Sequence, residues 1–391
     1  MAVLRGVRVV ELGMWVAAPG AGGLLADWGA DVIKVEAPEG DPMRRLFALL
    51  AGHGQPQSPP FDADNGGKRS VVLDLRTDDD RAAMATLLAG ADVFLTNLRP
   101  QALAGMGLDP ATVLAANPTL VYASITGFGL EGPDVDRAGY DIGAFWARSG
   151  VAHTMAPVGQ SPFPLRGGFG DHTTALATVA GIVAALFDRG RTGRGCVVEA
   201  SLLRTGMWCL GWDVAIQERF GKVVPTAARA DDPNPMAAAY CAGDGRWFWL
   251  LGVEADRLWP KLVAAMEHPE WLEVEAWSSA RGRRKGSTEL VATLDAAFAE
   301  HDRDELARRF DEHDVWWAPV NTLADLAGDP QVVASGGLVD VPAGEWSDAH
   351  RVAASPISFR DASMQRTDAP PKPPPALGQH TSEILNEVLG K

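Results

Sequence analysis

Residues 7–36 read VRVVELGMWVAAPGAGGLLADWGADVIKVE, and this stretch sets the fold class. Its two ends, residues 7–12 and 31–36, are short runs rich in Val and Ile, the composition of strands packed on both faces. Between them, residues 20–28 place apolar side chains at helical spacing, which gives a strand-helix-strand unit. The alternation continues, with strand-like runs at 70–75, 92–97 and 120–125 separated by helical stretches at 79–89 and 112–116. An α/β protein follows, with a mostly parallel sheet and helices on both faces, because parallel neighbours need a crossover and a helix is the usual one.

Glu36 ends the second strand, where dinucleotide-binding folds keep an acid for the ribose. The glycines do not fit that use. Residues 17–23 read AAPGAGG rather than G-x-G-x-x-G, and Pro19 stands where the tight turn is needed, so a nicotinamide or flavin site is not expected.

With 391 residues and 47% hydrophobic content, the chain is long enough for two domains with real cores. A formal charge of −15 argues against a general nucleic-acid binder, which displays a basic face to phosphates. Cys196, Cys209 and Cys241 are odd in number and lack paired metal-ligand spacing, so reduced thiols and no metal are expected. The N-terminus carries no basic segment followed by an apolar stretch. The helical run after Asp171 reads as ending at Asp188 and Arg189, too short to span a bilayer. The expectation is a cytoplasmic protein with neither nucleic-acid nor membrane partners.

Residues 165–174 carry the candidate nucleophile. Arg166, Gly167, Gly168, Phe169 and Gly170 deliver Asp171 to an apolar run at 173–187 with helical spacing. The local pattern gives Asp171 two readings. One is a helix N-cap, whose carboxylate accepts a free backbone N–H; the other is a nucleophile that glycines leave open to a ligand. His172 adjoins it, but neighbouring helical side chains point about 100° apart, so the two are not expected to share a target. His153 reads as structural or solvent-facing.

After a helical run at 201–217, residues 227–239 are rich in Ala, Asp and Pro and read as a linker. A smaller unit follows. Residues 240–242 and 246–251 flank Gly243-Asp244-Gly245 as a hairpin, and helices are expected at 255–266, 289–300 and 303–313. Residues 315–321 then lead back out. The prolines of 369–375 make an extended connector before a last helix at 381–389. The boundaries read as 1–225 for the first part of a large domain, 226–325 for a small one, and 326–391 for a return segment completing the large one.

Several blocks resemble one family when taken in order: LLADWGADVIKVE at 24–36, GKRSVVLDL at 67–75, NLRP at 97–100, NP at 117–118, YASITGFG at 122–129, GRTGRG at 190–195 and APVNT at 318–322. Together they resemble the class III coenzyme A transferases, the family of formyl-CoA transferase, carnitine CoA-transferase and α-methylacyl-CoA racemase, nearly end to end. The resemblance implies a Rossmann-like large domain, a smaller inserted α+β domain, and an interlocked-ring homodimer. It puts Asp171 on the catalytic aspartate, which attacks an acyl-CoA thioester to form an aspartyl anhydride. No tightly bound cofactor is implied; coenzyme A and acyl-CoA are substrates, with a carboxylic acid as acceptor. The resemblance also places Val16, Ala17, Leu73, Arg76, Asn97, Leu98, Arg99, Arg137 and Tyr140 on the segments that contact CoA.

Tyr140 stands where the racemase branch has a histidine, and an ordinary phenol is a poor base at neutral pH. That favours transfer over racemisation. In two places the chain departs from the family: Ala37 and Gly105 stand where basic residues usually help hold the nucleotide phosphates. Arg44, Arg45, Lys68 or Arg69 are the expected replacements. Trp316 and Trp317, beside the 318–322 block, are expected either to line an acyl pocket or to fill a core. Besides transfer, two further readings stay open within the resemblance: acyl-CoA racemisation, and a non-catalytic CoA-binding subunit of a heteromeric transferase.

Overall fold

The alternation of the first third becomes a single sheet in the computed structural model, which describes residues 2–46 and 58–389. Its elements are β1 (Arg8–Leu12), α1 (Ala17–Asp27), β2 (Asp31–Glu36), α2 (Pro59–Asn65), β3 (Arg69–Val72), α3 (Asp78–Ala89), β4 (Val93–Thr96), β5 (Val121–Thr126), α4 (Phe169–Thr192) and β6 (Val197–Ser201). The strand order is β3-β2-β1-β4-β5-β6, with every neighbouring pair parallel. Such an order reverses direction between β1 and β4. Crevices at that reversal, beyond the carboxyl ends of the strands, are where open α/β sheets bind ligands.

Alternation of side chains along each strand feeds two cores. Val9, Val32, Val93, Leu95, Val121 and Ala123 pack against α1 and α4 through Ala21, Leu25, Val179 and Ile182. On the opposite face, Val10, Ile33, Phe94 and Tyr122 pack against α3 through Met84 and Leu87, and Ile384 of the C-terminal helix Thr381–Leu389 joins them.

The chain divides into two compact units. The larger comprises Met1–His153, Phe163–Val223 and Ala334–Lys391; the smaller comprises Thr154–Pro162 and Val224–Val333. Thr154–Pro162, read from sequence as part of the large domain, thus groups with the small unit, where Val158 N–H donates to Thr226 O at 3.0 Å. In the small unit β7 (Ala239–Cys241), β8 (Trp247–Leu250) and β9 (Trp317–Pro319) form an antiparallel sheet. Residues 315–321 therefore do not simply lead out: β9 pairs with β8 and completes this sheet. Nor is 227–239 a bare linker, since Met236 and Ala238 are buried in the small core with Tyr240, Phe248 and Leu262.

Two helical expectations also change. The run at 201–217 is two helices, Leu202–Cys209 and Gly211–Phe220, broken at Leu210. The helix containing Asp171 runs from Phe169 to Thr192, past Asp188 and Arg189, and its 24 residues are long and apolar enough to cross a membrane by length and composition. One face of it, however, including Ala175, Val179 and Ile182, is part of the sheet's core.

Candidate active site

The loop after β1 is held from both sides of the strand reversal. Met14 N–H donates to Asn97 Oδ1 at 3.0 Å, and Asn97 Nδ2 donates to Met14 O at 2.7 Å, tying the β1 loop to the β4 loop. Trp15 follows with φ 68°, a left-handed conformation that is rare for a bulky residue and that its surroundings must enforce. Its N–H donates to Asp41 Oδ1 at 3.1 Å, and Asp41 is fixed by Lys34 at 2.9 Å. The Trp15 indole meets the exposed Tyr140 ring edge-on, centroids 6.1 Å apart. Val16 then leads into α1.

Asp171 is not the N-cap. Gly168 occupies that place at φ 84°, its N–H donating to Asp141 Oδ2 at 2.9 Å, so the helix begins earlier than the apolar periodicity suggests. Asp141 also accepts from Ile142 N–H at 2.7 Å, locking the turn. Gly170 is required by space, since a Cβ there would lie 2.6 Å from Phe145 Cγ. Asp171 thus sits in the first turn, half-buried, with no capping bond made by the helix start.

Its electrostatics are those of a poised group. Burial pushes the Asp171 carboxyl up to about 7, and the neighbouring Asp141 charge adds to this, while His172 pulls the other way. His172 Nε2 lies 2.8 Å from Asp64 Oδ1 of α2. That bond raises the imidazole above its ordinary range. A carboxylate of this kind, near a helix N-terminus whose dipole favours anions, is chemically suited to nucleophilic attack close to neutral pH. Among the described residues, no group of three His, Cys, Asp or Glu is placed to hold a metal.

The other residues named from sequence fall into distinct environments. Val16 lies close to the Asp171 turn, its Cγ1 3.6 Å from where a Gly168 Cβ would stand, and Ala17 is buried beside it. Tyr140 precedes the turn-locking Asp141. Leu73 is buried past the end of β3, and Arg76 beyond it is exposed and pairs with Asp74 at 2.7 Å. Leu98 packs on the second core, and Arg99 is exposed at the start of a short helix. Arg137 is exposed and loosely paired with Asp134 at 3.4 Å.

Three of the four proposed replacement cations are committed elsewhere. Arg44 grips Glu36 through Nε at 2.8 Å and Nη2 at 2.7 Å, and stacks over Phe61. Lys68 is buried on Glu11 at 2.7 Å, and Arg69 pairs with Asp31, Glu383 and Glu387. Only Arg45 among them is exposed and makes no ion pair among the described residues. Trp317 fills the small unit's edge, its Nε1 donating to Asp311 at 3.0 Å, while Trp316 is 40% exposed with Arg257 over its ring. The sequence reading set His172 aside; its partner lies 108 positions away, and no local pattern announces it.

Comparison with known proteins gives the family. The sequence profile of CoA-transferase family III matches residues 4–381. The chain is 31% identical to (R)-2-hydroxy-4-methylpentanoate CoA-transferase of Clostridioides difficile, over 99% of this chain and 95% of that protein. It is also 31% identical to cinnamoyl-CoA:phenyllactate CoA-transferase of Clostridium sporogenes, over 99% and 93%. A CaiB/BaiF family protein from Brucella suis superposes with a TM-score of 0.85 at 32% identity, covering 98% of this chain and 99% of that one. The chain therefore belongs to CoA-transferase family III and is a transferase of CoA-thioester substrates.

Proposed function

We propose that the protein moves coenzyme A from an acyl-CoA donor to a carboxylic acid through a covalent intermediate on Asp171. The observation that carries this reading is a half-buried carboxylate in the first turn of α4, beside a glycine turn at the carboxyl edge of the sheet, where burial pushes it up. An Asp171 oxygen attacks the thioester carbonyl, the C–S bond breaks, and CoA leaves as thiolate, giving a mixed anhydride. The thiolate then attacks the aspartyl carbonyl, releasing the donor acid and leaving an aspartyl-CoA thioester. The acceptor carboxylate reverses these steps, and Asp171 is regenerated with no net proton change. Water must be kept out, because either intermediate hydrolyses.

Val16, Ala17, Leu73, Asn97 and Leu98 line the sheet's carboxyl edge in this reading, with Arg76, Arg99 and Arg137 offering cations to CoA phosphates and Tyr140 flanking the acyl group. Tyr140 also disfavours racemisation, for want of a base at that position. The unit is a homodimer in this reading, and works in the cytoplasm, where its three free cysteines stay reduced. Support for the dimer comes from Trp208 and Trp212, 83% and 88% exposed on adjacent helices, and from the helix Gly211–Phe220, none of whose residues is buried.

The test is to incubate the protein with a panel of acyl-CoAs, trap with hydroxylamine or borohydride, and map the product by mass spectrometry. The adduct is expected on the peptide containing Asp171; turnover with the label elsewhere would overturn the mechanism. A second expectation concerns the phosphates. Ala37 is exposed, so Ala37→Arg should tighten CoA binding by up to about fivefold, the worth of one exposed ion pair. Calorimetric titration reads this directly, and unchanged affinity would mean that another cation already holds the phosphate.

A further inference from the structure

The His172 side chain is 55% exposed but is held on its inner side. Its ring lies over Gly20 of α1, where an added Cβ would come 3.3 Å from Cδ2, and its Nδ1 side faces Gly168, the residue that starts the Asp171 helix. Nε2 meets Asp64 Oδ1 at 2.8 Å, and Asp64 is itself buried. A buried carboxylate bonded to one ring nitrogen favours the imidazolium, and that cation lies on the turn next to Asp171.

We infer that the His172–Asp64 pair is a positioning device for the nucleophile: Asp64 holds His172 as a cation, and that cation keeps Asp171 a carboxylate for attack. This rests on the reading of Asp171 as nucleophile. Without such a cation, Asp171 would face the charges of Asp141 and Asp64 in a desolvated site with only the helix N-terminus to offset them. The other ionisable groups on elements packed against α4 are committed or distant from this turn. Glu199 accepts from Leu130 N–H at 2.9 Å, Arg148 pairs with Asp134, and Asp27 lies at the opposite end of α1. Arg204 and Cys209 are exposed on the helix Leu202–Cys209, and Lys68 is buried and paired with Glu11 at 2.7 Å.

The sign of the effect follows from which form reacts. Only ionised Asp171 attacks, so kcat/KM of the free enzyme should rise with pH through about 7. In His172→Gln the offsetting charge is gone, and the acid limb should move up by about one pH unit, a loss of about fivefold at pH 7 that disappears at alkaline pH. His172→Lys restores a cation and should return the limb toward its original place, which a merely structural histidine would not do. In parallel, the imidazole of His172, followed by NMR, should titrate above the ordinary histidine range and fall in Asp64→Asn. An acid limb unmoved in His172→Gln, or a His172 titration unmoved in Asp64→Asn, overturns the inference. Asp171→Ala separates the two layers: full transfer in that variant defeats the nucleophile itself, whereas loss of transfer there with an unmoved limb in His172→Gln defeats only the histidine's role.

Discussion

Asp171→Ala is expected to lower kcat/KM for CoA transfer by at least about 10³-fold and to abolish the trapped adduct, because removing a covalent nucleophile leaves only binding and orientation. Assays in the presence of both donor acyl-CoA and acceptor acid read this directly, and a variant retaining transfer within tenfold would refute the mechanism. The same position should show the opposite effect on stability. The Asp171 carboxyl is raised from its ordinary value of 3.8 to about 7 in the folded protein. The folded state therefore binds a proton more tightly than the unfolded chain, and ionising Asp171 lowers stability progressively as pH rises from about 4 to about 7. Asp171→Asn removes that charge while keeping the shape. Its Tm should equal or exceed the parent's at pH 8, with the difference vanishing near pH 4. Thermal melts at the two pH values check the sign, and a lower Tm at pH 8 would contradict it. An inactive variant that is the more stable is the mark of a group retained for chemistry.

Lys34→Met is expected to destabilise the fold by about 3–5 kcal/mol, the range for breaking a buried ion pair by removing one partner. Lys34 is fully buried on β2, and its Nζ reaches Glu11 Oε1 at 2.9 Å, Gly13 O at 3.1 Å and Asp41 Oδ2 at 2.9 Å. Those carboxylates lift the Lys34 ammonium well above its ordinary range despite burial. Lys68, the second cation on Glu11, is instead pushed down to about 8 by burial and by the charge of Lys34. It cannot replace Lys34, because Asp41 would be left without a cation. The damage should reach the site too, since Asp41 accepts the N–H of Trp15 in its left-handed conformation. Urea denaturation measures the first effect. A loss under about 1 kcal/mol would show that the cluster is not held together by its charges.

The residues that make the sheets were legible because their information is local. The Val and Ile runs of β1 and β2, the Gly turn before α4 and the in-out alternation of Trp247, Phe248, Trp249 and Leu250 in β8 each state a period that the backbone must follow. Ordered blocks along the chain pointed to the family for the same reason, since each is contiguous. Asp171 itself was visible, but not its place in the helix: the start is set by Gly168 and by Asp141, a bond spanning 27 positions.

What the sequence by itself determined was the strand-helix alternation, the carboxylate behind its glycines and the kinship carried by the blocks. Only the tertiary structure decided which cations are free and which are spent. Arg44, Lys68 and Arg69 look alike on paper as phosphate ligands, yet the fold closes each on buried or half-buried carboxylates, and among the described residues Arg45 alone of the four is exposed without an ion pair. Only the tertiary structure, likewise, set His172 against Asp64. The physical reason is the same in both cases. A side chain's charge state depends on what desolvates and faces it, and those partners come from segments that the chain brings together only on folding.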